Sequence, residues 1–309
     1  MRIARRRTLA HAALAFALLG AAGTATAAAH DQPQTIPLTD YLGVVPSLDV
    51  DVHGRAVRLL LDTAGGLSIL TPDFAHRLGC APWGKVTGFR MRGDRVDAVR
   101  CDAVHLDVGG TPLTIPTAGV WDFSHLLPKN APPLGGSLAL DAFAGRTVTL
   151  DLAGHRLILE TPASEAARIR HAVEVPVRFE RDAGGLALTP LVAVQTSRGS
   201  LWMELDCGSD APLIVDRHAA ALLHLDPAGK HGQPLAMTLA GGVPVHGEAL
   251  VQDLIIDGNI GAPILRQWVV TLDLAQQRAW IAPRATERAH RQAPDQSAAT
   301  SMPGNSTSL

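Results

Sequence analysis

Two aspartates stand at the ends of apolar runs. Asp62 closes the leucines of "LLLDTAGGLSIL" (59–70), and Asp206 does the same in "MELDCGSDAPLIV" (203–215). A carboxylate at the end of a buried strand is costly unless something compensates it. Placed face to face across a cleft, the two would compensate each other. Carboxylates about 3 Å apart cannot both ionise, so one proton is held between them. The charged member can then act as general base on a water, while the protonated member donates to a carbonyl that the water attacks. Such a pair titrates as a unit. The competing reading is that each aspartate only caps a glycine-rich turn.

Other reactive residues form no comparable set. Asp151 and Asp273 recur within "TLDLA" and read as hairpin-end turn residues, with Arg156 and Arg278 as cross-strand partners. Asp210 reads as cleft-lining or solvated. His218 and His224 are six apart, which does not make an i, i+4 ligand pair. No cysteine spacing resembles a zinc site, so neither metal nor cofactor is expected. Ser68 and Ser137 lack the G-x-S-x-G turn of a serine nucleophile. No base is identifiable for Cys207.

The two aspartates lie in matching frames. "GSLALDAFAGRTVTLDLAGHRLIL" (136–159) aligns without a gap on "GNIGAPILRQWVVTLDLAQQRAWI" (258–281). Each half reads as strand, turn, strand, aspartate turn, strand, short helix, further strands, glycine turn, short helix and final hairpin. The expectation is an internal duplication, mostly β, with two similar lobes. The first lobe is placed at 36–159, a charged connector at 160–174, the second lobe at 175–283 and a disordered tail at 284–309. Asp62 and Asp151 are 89 residues apart, whereas Asp206 and Asp273 are 67 apart. Part of the excess is the polar stretch 84–100, read as a projecting hairpin.

Composition narrows the partners. The chain has 309 residues, 47% hydrophobic and 18% charged, with a net charge of −2. Its basic residues cluster only at the N-terminus, which argues against nucleic acid. "MRIARRRTLA" followed by "HAALAFALLGAAG" reads as a signal peptide, cleaved after Ala27 or Ala29. Arg6-Arg7 weakly resembles a twin-arginine signal. The mature chain then has no membrane span, and it is expected in the periplasm of a Gram-negative source or secreted. Export permits a disulfide. Either Cys80 pairs with Cys101 and Cys207 is left over, or all three are buried thiols.

An apolar run followed by Asp-Thr/Ser-Gly, with an apolar-apolar-Gly turn later in the same half, is similar to the active-site frame of aspartic proteases. The chain resembles an exported bacterial protein with two retropepsin-like lobes in one polypeptide, pepsin-like in plan, over residues 36–283. The resemblance implies that Asp62 and Asp206 are the catalytic dyad. It implies that Thr63 braces the turn across the lobes, and that Gly65, Gly208 and Ser209 bring backbone amides to the carboxylates. Ile260-Gly261 matches the apolar-Gly turn, and Leu138-Ala139 stands at the same place in the first half. The implied activity is endopeptidase action on extended polypeptides, by a monomer holding both half-sites.

Three departures stand out. Ala64 replaces a glycine, and its Cβ is expected to crowd the turn. Cys207 replaces a hydroxyl residue, and a thiol hydrogen-bonds weakly, so the brace is expected to be one-sided. The pepsin flap tyrosine is missing, since the only tyrosine is Tyr41. The first two favour the alternative function, an inactive protease-derived module that binds peptides or serves structure.

Overall fold

The structure is a computed structural model that describes residues 32–284. The segment read as a signal peptide lies outside the described residues, as does the tail beyond Arg284.

Alternation along the strands builds the first lobe. In Val45–Val52 and Arg55–Leu61 the inward positions are Leu48, Val50, Val57, Leu59 and Leu61. His53 and Gly54 join these strands, both at positive φ, as a tight hairpin turn requires. Eight strands form the sheet of this lobe, and Val45–Val52 also pairs with Arg95–Val108, which curls the sheet back on itself. Seven strands between Val177–Glu180 and Gln233–Thr238 form the second lobe. The order of elements recurs in the two halves.

Both aspartates are set by the same local pairing. Gly136–Leu138 runs parallel to Arg55–Leu61, with Leu138 opposite Leu61. Gly258–Gly261 runs parallel to Gly199–Asp206, with Gly261 opposite Asp206. Each apolar-Gly element therefore lies beside the strand that delivers its aspartate.

The final hairpins of the halves pair with each other. Thr147–Asp151 runs antiparallel to Trp268–Asp273, with Thr149 opposite Thr271 and their hydroxyls 2.9 Å apart. This makes a six-stranded sheet shared by both halves. The connector contributes a helix, Pro162–Ile169, started by Thr161 and Ser164 in a reciprocal cap. Asp151 and Asp273 accept turn amides, and Arg156 pairs with Asp151 as expected. Arg278 differs: it sits opposite Asp273 but forks onto Glu174 at 2.8 and 2.9 Å. A carboxylate reaching in from the neighbouring edge strand offers both oxygens to the guanidinium.

The stretch 84–100 is a hairpin, Trp83–Phe89 against Arg95–Val108. A disulfide between Cys80 and Cys101 ties its base, which decides between the two cysteine readings, and Cys207 is a buried free thiol.

Candidate active site

The turns after the two strands bring Asp62 and Asp206 together, with their carboxyls hydrogen-bonded to each other. Asp206 is buried, and Asp62 keeps partial contact with the cleft. Each accepts the amide two residues ahead: Ala64 N–H reaches Asp62 Oδ1 at 3.1 Å, and Gly208 N–H reaches Asp206 Oδ1 at 2.8 Å. A Cβ at Gly208 would lie 2.8 Å from the Asp62 carboxyl carbon, and one at Gly65 would lie 3.0 Å from it. Neither position has room for a side chain while the carboxyl stays in place. The Ser209 amide meets Asp206 O at 3.4 Å, and Ser209 lines the cleft. The crowding expected from Ala64 does not arise. This residue needs no positive φ, donates its amide to Asp62 and turns its methyl to the cleft wall.

The one-sided brace is also corrected. Thr63 Oγ1 donates to Leu205 O at 2.6 Å and accepts Cys207 N–H at 2.9 Å. Cys207 returns both bonds: its Sγ accepts Thr63 N–H at 3.3 Å and donates to Leu61 O at 3.2 Å. A thiol suffices here because no water competes for these buried groups. Burial and the nearby aspartates push the Cys207 thiol up, so it remains protonated rather than a thiolate nucleophile. Cys207→Ala would leave Thr63 N–H and Leu61 C=O unpaired, with an expected loss of about 1–3 kcal/mol. Cys207→Ser keeps both bonds and should lose less. Urea unfolding midpoints of the two variants check this.

The sequence reading missed a third carboxylate. Glu204 is buried beside the dyad, and Asn259 Nδ2 joins the two, at 2.6 Å from Asp206 Oδ2 and 3.3 Å from Glu204 Oε2. The pleat would have signalled it, because residues two apart on a strand share a face. Burial raises Asp62 to about 7, helped by the charge of Asp206. Burial also raises Asp206, but donors from Asn259, Gly208 and Asp62 pull it back. Glu204 is pushed well up by burial and then by Asp206. Ser68 and Asp141 were missed as well. Ser68 Oγ donates to Asp141 at 2.6 Å and accepts Ala139 N–H at 3.0 Å, which pins the first aspartate turn to its Leu138-Ala139 element.

The dyad lies at the meeting of two cavities. One, about 360 Å³, is walled by apolar side chains of the first lobe, including Leu60, Ile69, Val86 and Trp121. The other, about 520 Å³, carries Glu180, Glu204, Asp206 and Asp210 from the second lobe. The hairpin tip covers both, and Ile255 N–H of the opposite lobe donates to Met91 O at 2.9 Å. His218 lies away from the dyad, between Asp216 and Asp257. Among the described residues no group of His, Cys, Asp and Glu is arranged to hold a metal ion.

Residues 48–141, which contain Asp62 and Thr63, match a family model described as aspartyl protease. The fold is the bilobal plan of the aspartic proteases. It is similar to the crystal structure of basic 7S globulin from soybean, with a TM-score of 0.54 at 10% identity, over 81% of this chain and 94% of that one. Conglutin gamma, a basic 7S globulin from lupine seeds, is similar with a TM-score of 0.51 at 10% identity, over 82% of this chain and 95% of that one. No curated protein matches the chain in sequence.

Proposed function

We propose that the chain is an exported aspartic endopeptidase that hydrolyses peptide bonds in extended polypeptides. The observation that carries this reading is the mutually hydrogen-bonded carboxyl pair at the heads of two equivalent, cross-braced turns. Asp206 takes donors from Asn259 and Gly208, so it holds the negative charge, while Asp62 holds the shared proton. Asp206 is then the general base on the attacking water, and Asp62 donates to the scissile carbonyl. The two-cavity cleft suits an extended chain that puts alternate side chains into separate pockets. The signal-like N-terminus and the Cys80–Cys101 bridge support an oxidising compartment outside the cytoplasm. One chain supplies both aspartates, which supports action as a monomer.

A second reading is a peptide-binding module without catalysis. It is favoured by the bond from Ile255 to the hairpin tip, which ties the hairpin across to the second lobe. One experiment separates them. The purified mature chain is offered a peptide library from acidic to neutral pH, with and without a statine-type inhibitor, beside Asp62→Asn. Cleavage that the inhibitor blocks and the variant lacks is expected. A folded chain that retains peptides at every pH and cuts none would favour the binding module.

A further inference from the structure

The two halves differ in chemistry at one pair of equivalent positions beside the dyad. Leu60 stands two residues before Asp62, and Glu204 stands two residues before Asp206. Strand geometry turns each toward the same face as its aspartate. Leu60 lines the apolar cavity and Glu204 lines the charged one. We propose that Glu204 makes this cleft select polypeptides with lysine or arginine on one side of the scissile bond and an apolar residue on the other. The proposal rests on the peptidase reading of the dyad.

Glu204 has an unfilled bonding position. Its Oε2 takes the Asn259 amide at 3.3 Å, and no described residue donates to its Oε1. Asn259 Oδ1 is buried beside it with no partner. The free oxygen of Glu204 is open to the cavity, where a ligand donor can reach it. The local charge sets its sign. Glu180, Asp182 and Asp210 face the same cavity, while the hairpin tip offers Arg90 and Arg92. Arg90 is already paired with Asp94 at 3.6 Å. An ammonium or guanidinium brings donors and no acceptor, which suits the open oxygen of Glu204. An acidic side chain would meet the negative charge of the dyad beside Asp182 and Asp210 and be rejected by like charge. On the other side Leu60, Ile69 and Val86 offer no polar partner, so a leucine or phenylalanine side chain fits.

Peptide-mixture cleavage read by mass spectrometry tests this. The wild-type chain is expected to show Lys or Arg at one position flanking the cut bond and apolar residues at the other. Glu204→Leu copies Leu60 and should turn the basic position apolar. Its kcat/KM for a basic peptide should fall by about 30-fold or more, as for loss of a buried charge partner. Glu204→Gln keeps the shape but cannot ionise against an incoming cation, and it should lose the same preference. No basic enrichment in the wild type, or its survival in both folded variants, would overturn the proposal. A chain that cuts nothing is tested by peptide binding to Asp62→Asn. Tighter binding of Lys- and Arg-containing peptides would support the selectivity while the peptidase reading fails, and equal binding would overturn it.

Discussion

Asp62→Asn is expected to lower the rate of peptide hydrolysis by about 10²–10⁴-fold and to raise stability near neutral pH. Both effects come from the same proton. Asparagine keeps the shape and can still donate to Asp206, but it cannot exchange a proton with a water or carbonyl. The stability effect follows from linkage. The Asp62 carboxyl rises from 3.8 to about 7 in the folded chain. Between those pH values the folded state holds a proton that the unfolded state has released, so stability falls as pH rises through the window. Glu204 acts in the same direction, as does Asp141, raised by burial to about 6. Asp97 and Asp102 act oppositely. Their hydrogen-bond donors hold them low, so their contribution is lost only as pH falls below the usual carboxylate range. Both are exposed and contribute weakly. Wild-type stability should therefore peak under mildly acidic conditions. Melting temperatures of wild type and Asp62→Asn from pH 4 to pH 8 provide the check, alongside product formation. The variant's profile should be flatter and lie above wild type by pH 7. Parallel profiles would mean that Asp62 does not hold the proton.

How much of this could be read in advance depended on the distance over which each signal acts. The aspartate turns were legible because strand, aspartate and glycine are adjacent in sequence and occur twice. The mostly β plan followed from alternation that local pairing preserves, as in Val45–Val52 with Arg55–Leu61. The shared sheet was not legible. Thr149 meets Thr271 across 122 residues, and nothing in either hairpin alone names its partner. Arg278 was assigned to Asp273 by register, but a carboxylate 104 residues away took it. Cys207 was judged by the weak hydrogen bonding of a thiol in water, whereas its fully buried position between Thr63 and Leu61 removes the competitor. Glu204 was a different failure. It stood inside "MELD", where reading the run as apolar hid a carboxyl on the active face.

Gly261→Ala is expected to lower stability by about 3 kcal/mol or more and to depress activity with it. Glycine here is not a matter of backbone freedom, because Gly261 has extended dihedrals. The constraint is space. A Cβ at this position would lie 1.9 Å from Ala211 O and 3.0 Å from Ser209 O, and both are backbone atoms that no rotamer change can move. Gly261 N–H also donates to Pro212 O at 3.0 Å, so relieving the clash breaks that bond. Because Gly261 sits opposite Asp206 in the parallel pair, the shift would reach the Asp206 carboxyl. The first half carries Ala139 at the equivalent place, fully buried. There the amide is received by the hydroxyl of Ser68 rather than by a main-chain carbonyl. The longer reach through a side chain leaves room for the methyl that the second half cannot hold. Ala139→Gly should accordingly cost only about 1 kcal/mol, from lost burial and added chain entropy. Chemical denaturation of the two variants, with kcat/KM measured on the folded fraction, distinguishes the halves. A Gly261→Ala loss no larger than that of Ala139→Gly would show that the turn behind Asp206 yields, and that the glycine is not what holds the second carboxyl in place.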